Sequence, residues 1–386
     1  MFRVLEIGQI IAGPAAGSML SQLGFEVIKV EQPGKGDATR YLTGSSIGNF
    51  AFFNMGKKSL TLDLKNAKGK DVFKQLVKKS DVVIDNLAPD TMQKLGLGYD
   101  VLSTSNPKLV YLKIKGFGPG PSSWRKSLDY PAEVESGIAY MNGLEDRPMR
   151  LGASVIDVFS AAIGVVFVLK ALMDRERTNT GFYAEVPLFE TAAFIMGQHL
   201  ASAQVLGKNP RPLNEEPFMW GIYDMFETAD AKKIFIGVTT DSQWEDFCRA
   251  FKLDELFSNQ DLRTNVGRRK NRDWLVPKIG EIVKSMNLRE VVKLLATGNI
   301  AYGISNKTLD LLTNEQLRYD AKLVNIKNTD GKMLLVPRVP IYVSQETVWP
   351  VRISDPPKLG QDTNWVLKDG GYTDSEIEEL RQQGVI

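Results

Sequence analysis

Short β-rich runs alternate with helical patterns through residues 3–7, 15–23, 26–31, 60–64, 69–79, 81–85 and 109–115. No other feature of the chain restricts the fold so tightly. Alternation of this kind predicts a parallel sheet wrapped by helices, the α/β class. Residues 207–217 carry three prolines and no apolar periodicity, which marks a linker. Beyond it, 232–238 reads as a strand, and 242–251, 271–286 and 288–296 read as amphipathic helices of a smaller, separate domain. A β-rich region at 333–343 then leads through Asp355-Pro356-Pro357 to a final helix at 373–383, opened by the capping box Thr373-x-x-Glu376. At 386 residues the chain has ample material for two domains.

Charge and cysteine content narrow the function. Forty-eight basic and 46 acidic side chains give a formal net charge of +2, which argues against a nucleic-acid binder. The run Arg268-Arg269-Lys270 is expected to be a solvated face. One cysteine, Cys248, excludes an intramolecular disulfide and a thiolate metal cluster, so a reducing cytoplasm is the expected compartment. The first strand follows the start directly, without a basic stretch and apolar core, and no signal peptide is expected. The longest apolar run, 158–169, has 12 residues before Lys170. A bilayer needs about 20, so the run reads as a buried core helix.

Several chemistries lack their residues. Gly34-x-Gly36 and Gly116-x-Gly118-x-Gly120 fail to complete a dinucleotide loop, because Thr39 and Pro121 stand where the last glycine belongs. There is no phosphate loop and no histidine pair for a metal. His199, the only histidine, sits in Met196-Gly197-Gln198-His199-Leu200 and reads as a packed helix residue. Carboxylate chemistry remains. Asp157 ends Arg150-Leu151-Gly152-Ala153-Ser154-Val155-Ile156-Asp157, just ahead of the apolar run, and a carboxylate there is either a cap or a nucleophile. Ser154-x-x-Asp157 fits a capping box.

An ordered series of strings bears on that choice. They are Val4-Leu5-Glu6-Ile7, Ala12-Gly13-Pro14, Leu23-Gly24-Phe25-Glu26-Val27-Ile28-Lys29-Val30-Glu31, Gly36-Asp37-Ala38-Thr39-Arg40, Asn54-Met55-Gly56-Lys57-Lys58-Ser59-Leu60, Asp81-Val82-Val83-Ile84-Asp85-Asn86, the Asp157 block, Thr180-Gly181-Phe182-Tyr183-Ala184-Glu185-Val186 and Pro356-Pro357-Lys358-Leu359-Gly360. Taken together the chain resembles the class III CoA-transferases, the CaiB/BaiF family. The resemblance implies a large Rossmann-like α/β domain built from both chain ends (1–205 with 330–386), a small α+β domain (206–329) and an interlocked homodimer. It implies that Asp157 is the catalytic nucleophile, attacking an acyl-CoA to form an aspartyl mixed anhydride and then an aspartyl-CoA thioester, from which a free carboxylic acid takes the CoA. CoA thioester is a substrate here, and no metal or redox cofactor is implied. The implied CoA contacts are Gln9, Ile11, Ala12, Gln32, Leu62, Lys65, Asn86, Leu87, Lys94 and Lys126.

Two departures from the family pattern touch the acceptor. Asp129-Tyr130-Pro131-Ala132-Glu133 carries a carboxylate where many members have glutamine, and residues 214–220 lack the glycine-rich loop of the oxalate and formyl-CoA enzymes, which argues against oxalate. Two alternatives to the transferase are an α-methylacyl-CoA racemase and a non-catalytic CoA-binding protein. A racemase of this family uses a histidine just before the Asp129 position. Leu128 stands there.

Overall fold

The structure, a computed structural model, describes residues 1–215, 219–343 and 353–386. Glu216, Pro217 and Phe218, which belong to the expected linker and to the 214–220 stretch, lie outside the described residues. The chain divides into two compact units, Met1–Pro212 with Leu317–Ile386, and Leu213–Gln316.

The first unit is built on six parallel strands: β1 (Arg3–Ile7), β2 (Glu26–Glu31), β3 (Lys58–Thr61), β4 (Val82–Asp85), β5 (Val110–Lys115) and β6 (Phe182–Pro187). Their order is β3-β2-β1-β4-β5-β6. Side chains alternate across a strand, so Val4, Val82, Val110 and Leu112 face one layer while Leu5, Val83 and Tyr111 face the other. Helices α1 (Ala12–Gln22), α2 (Ala67–Lys78), α3 (Asp129–Ser136), α4 (Val155–Thr178), α5 (Leu188–Ile195) and α6 (Gly197–Leu206) follow in chain order. The first layer packs the sheet against α1 and α4, and the second packs it against α2. Both faces are therefore covered, as an all-parallel sheet requires.

The C-terminal helices Thr363–Gly370 and Asp374–Gln382 join α2 on that second layer through Val366, Leu367, Ile377 and Leu380. Backbone contacts lock them there: Asp362 Oδ2 accepts the Ser59 N–H at 2.9 Å, and Thr363 Oγ1 accepts the Thr61 N–H at 3.0 Å. The capping box at Thr373 and Glu376 is formed. The expected strand at 333–343 pairs only over Met333–Pro337, with Leu323–Lys327. Pro337 and Pro340 explain the shortfall, since proline has no N–H to give to a ladder.

Helix α4 extends well past the 12-residue apolar run, to 24 residues. Its last turns are polar and continue the helix through pairs such as Lys170–Asp174. By length and composition it is the one described helix able to cross a bilayer, yet half of its most apolar window is buried inside the unit. Gly164 makes that packing possible, because a Cβ there would stand 2.7 Å from Leu112 Cδ2 on β5.

The second unit carries an antiparallel sheet of Ile222–Glu227, Lys233–Val238 and Ala301–Ile304. Helices Asp241–Phe251, Arg272–Lys284 and Leu288–Thr297 close its core around Trp244, Phe247, Leu275, Ile279, Val291 and Leu295. Arg269 and Lys270 are exposed, as expected of a solvated basic run, and Arg268 alone departs from it. Its side chain is fully buried, donating to Leu262 O, Arg263 O and Asp241 at 2.7–3.0 Å, which satisfies a charge that burial would otherwise penalise.

Candidate active site

Parallel strands bring their following loops to one edge of the sheet. The winding reverses between β1 and β4, and there an open α/β sheet leaves a crevice. A cavity of about 470 Å³ occupies this place, walled by Gln9, Ile10, Ile11 and Ala12 after β1, by Asn86, Leu87, Ala88 and Pro89 after β4, and by Ile114, Lys115 and Gly116 at the end of β5. Lys126, Ser127, Leu128, Pro131, Asp157 and Leu188 complete it.

Buried polar contacts fix the loops. Asp85, fully buried, accepts from Tyr111 Oη at 2.9 Å, Lys113 Nζ at 2.7 Å and the Leu87 N–H at 2.9 Å, while Lys113 also reaches Leu87 O. Asn86 then ties three elements together: it accepts the Gly13 N–H at 3.3 Å and donates to Ile114 O at 3.2 Å. Only glycine fits at position 13, where a Cβ would lie 2.7 Å from Asn86 Cβ. Ile10 takes a left-handed φ of 69°, a strained conformation for a β-branched residue, and its N–H donates to Asp37. Asp37 in turn pairs with the buried Lys29, which also pairs with Glu6.

Asp157 sits in the first turn of α4. The capping box read from Ser154-x-x-Asp157 does not form, because the Ser154 side chain makes no capping bond. Asp129, on α3, supplies the cap instead: its Oδ1 accepts the Ile156 N–H at 2.9 Å and the Asp157 N–H at 3.1 Å. A cap delivered from another helix frees the Asp157 carboxylate, which makes no hydrogen bond among the described residues and faces the cavity with 8% of its surface exposed. Burial first, and then the charge of Asp129, push this carboxyl up to about 7, while Arg150 pulls the other way.

Glu133 lies one turn beyond Asp129 on α3 and is fully buried. Its Oε2 accepts the Leu151 N–H at 2.9 Å, whereas Oε1 is buried and accepts nothing. Burial pushes its carboxyl up to about 7 against the Leu151 N–H, and Asp129 adds to the rise. Arg150, half exposed, reaches Asp129 Oδ2 at 3.4 Å.

Of the residues singled out in the sequence, Gln9, Ile11, Ala12, Asn86, Leu87 and Lys126 come together around Asp157. Gln32, Leu62, Lys65 and Lys94 do not line the cavity. Gln32 is exposed beyond β2, Lys65 and Lys94 are exposed farther along the chain, and the Leu62 side chain is committed to the core beneath α2. Lys115 and Gly116 were not anticipated, although the predicted strand at 109–115 ends on them and strand ends are where such ligands bind. Lys115 is held by Glu185 at 3.2 Å, and Lys126 is exposed. His199 borders a different cavity, with Ser136, Gly137 and Tyr140. Leu128, in the wall near Asp157, offers no proton-transfer group.

Fold and site define an α/β enzyme with a lone, poorly solvated carboxylate at the switch point of a parallel sheet. The chain belongs to CoA-transferase family III, whose sequence profile matches residues 2–363. It is 28% identical to the succinyl-CoA:glutarate CoA-transferase of Homo sapiens over all of this chain and 89% of that protein. It is 32% identical to the succinyl-CoA–L-malate CoA-transferase beta subunit of Chloroflexus aurantiacus, over all of this chain and 97% of that protein. Among solved structures, a CaiB/BaiF family protein from Brucella suis superposes with a TM-score of 0.83 at 28% identity, covering 96% of this chain and 98% of that one.

Proposed function

We propose that this enzyme moves CoA from an acyl-CoA thioester to a free carboxylic acid, with Asp157 as the covalent nucleophile. The observation that carries the reading is the Asp157 carboxylate, buried at the cavity wall, without a hydrogen bond among the described residues and next to the charge of Asp129. Poor solvation raises the energy of the ionised form and makes it a better nucleophile. An Asp157 oxygen attacks the donor's thioester carbon, the C–S bond breaks, and CoA leaves as thiolate. The thiolate returns to Cγ of Asp157 and expels the donor acid, leaving an aspartyl-CoA thioester. An acceptor carboxylate displaces the thiolate from Cγ to form a second anhydride, and thiolate attack on the acceptor's acyl carbon restores Asp157. The N-terminal dipole of α4 favours negative charge in each tetrahedral stage.

CoA runs along the carboxyl edge of the sheet, with its thioester at Asp157, Gln9, Ile11, Ala12, Asn86 and Leu87 beside it, and Lys126 meeting phosphate charge. Gln32, Leu62, Lys65 and Lys94 take the nucleotide end, Leu62 through its backbone alone. The relatives named for succinyl-CoA, glutarate and malate support a short dicarboxylate as acceptor and succinyl-CoA as donor. The enzyme acts as an interlocked homodimer in the cytoplasm without a metal or redox cofactor. Exposed apolar side chains on α4, α5 and α6 support the dimer. A racemase reading needs an acid–base pair at the α-carbon, and Leu128 stands where one member would be.

Mass spectrometry of succinyl-CoA incubated with a panel of carboxylic acids tests the assignment. Asp157→Ala is expected to lower transfer on the order of 10⁴-fold while leaving the fold intact, and hydroxylamine added during turnover should convert Asp157 to its hydroxamate. Wild-type turnover by the alanine variant, without a modified Asp157 peptide, would refute the mechanism. In D₂O, 2-methylacyl-CoA should gain no α-deuterium; rapid exchange without any acceptor acid would make the enzyme a racemase.

A further inference from the structure

Two buried carboxyls share one face of α3 beneath the Asp157 site, and their hydrogen bonds are unequal. Both Asp129 oxygens accept: Oδ1 takes the Ile156 and Asp157 N–H groups and Oδ2 takes Arg150 at 3.4 Å, which leaves acceptor capacity on the side chain within hydrogen-bonding reach of Glu133. Glu133 has one satisfied oxygen, on the Leu151 N–H, and one buried oxygen, Oε1, that accepts nothing. A carboxylate oxygen shut away from water with no donor is unfavourable, and more so with a second carboxylate one helical turn away on the same face. A proton on Oε1 removes both penalties, because a protonated oxygen becomes a donor and Asp129 is the adjacent acceptor.

We infer that Glu133 is a positioning residue that carries a proton and donates it in a hydrogen bond to Asp129, so that Asp129 holds the first turn of α4 and the Asp157 nucleophile in place. The two ends of the Glu133 carboxyl then do different jobs. Oε2 anchors Leu151, in the segment that leads into α4, and Oε1 anchors the acceptor that caps α4. Asp157 is thereby fixed from both sides of the turn that carries it. Burial, which pushes the Glu133 carboxyl up to about 7, favours the same protonated state. The groups facing the pair are Asp157 on α4, Arg150 in the preceding segment, and Tyr130 on α3, whose ring lies 5.7 Å from the Arg150 guanidinium.

Glutamine can make both bonds, accepting from Leu151 and donating to Asp129, whereas methionine fills similar space and makes neither. The inference rests on Asp157 as the nucleophile for its kinetic consequence, but the state of Glu133 can be read without turnover. Difference infrared spectroscopy of wild type against Glu133→Gln at pH 6 should show loss of a protonated-carboxyl C=O band that shifts in D₂O. Kinetically, Glu133→Met should lower kcat by about 10- to 100-fold with KM little changed, the size expected when a reactive group is misplaced by a fraction of an ångström. Glu133→Gln should recover most of that loss. No protonated-carboxyl band at pH 6 would overturn the inference, and so would a glutamine variant as slow as the methionine variant. If Asp157 were not the nucleophile, the hydroxylamine experiment would fail while the infrared band remained, so the two readings fail separately.

Discussion

Asp157 lies out of water beside Asp129, and the two causes that push its carboxyl from an ordinary 3.8 up to about 7 also make its ionised form unfavourable in the folded chain. Between about pH 4 and 7 the folded protein therefore binds more protons at this group than the unfolded chain does. Stability falls as pH rises through that window, and above it the full penalty stands. Asp157→Asn should relieve it, making the variant about 1–3 kcal/mol more stable than wild type at pH 8, with the difference shrinking toward pH 4. Urea denaturation across pH at one protein concentration measures this, and equal stability at pH 8 would show that the carboxylate is well solvated. Activity takes the opposite sign. With Asp157 as the proposed nucleophile, kcat/KM should rise as pH increases through about 7, because attack would need the ionised form. The Asp157 position was legible in the string from Arg150 to Asp157. The source of its cap was not, because Asp129 lies 28 residues away and only tertiary packing brings it to the α4 N-terminus.

Elements add a constraint that no single side chain carries. Helix α1 begins against the end of β4, with Gly13 and Asn86 in a contact that leaves no room for a methyl group. Gly13→Ala should push the start of α1 away from the Asn86 loop, costing about 1–3 kcal/mol as overpacking does and weakening CoA binding, since both elements wall the cavity. Thermal melts and CoA titration check both effects; an alanine variant with unchanged stability and CoA affinity would mean that the contact relaxes freely. The strands β1, β2, β4 and β5 were readable because a two-faced buried strand leaves a dense apolar signature between turn residues. β6 lacks that dense apolar signature. Its exposed Tyr183 and half-buried Glu185 give it the look of a surface segment, and only pairing with β5 makes it a strand.

At the scale of the molecule, apolar surface is the unspent term. Val166 and Met173 on α4, Phe194 on α5 and Val205 on α6 are 67–88% exposed, and Leu200 and Leu206 are exposed beside them in sequence. Single exposed apolar side chains are ordinary, but a series on three successive helices of one unit is a surface that water does not favour. Nothing in the periodicity of the sequence foretold it, because apolar residues that will face a partner have the same spacing as those that face a core. Periodicity did not mark the return of the chain end to the first unit either, and only the family resemblance implied it, since the contacts at Ser59 and Thr61 join residues some 300 positions apart. A second copy of this chain would bury the exposed series, and interlocking would make the assembly independent of concentration, whereas an ordinary surface dimer dissociates on dilution. Analytical ultracentrifugation at nanomolar protein should show a dimer alone, and mixing tagged with untagged enzyme should yield no hybrid without prior unfolding. A folded monomer on dilution, or rapid formation of hybrids, would rule out interlocking and leave at most a reversible contact through α4, α5 and α6.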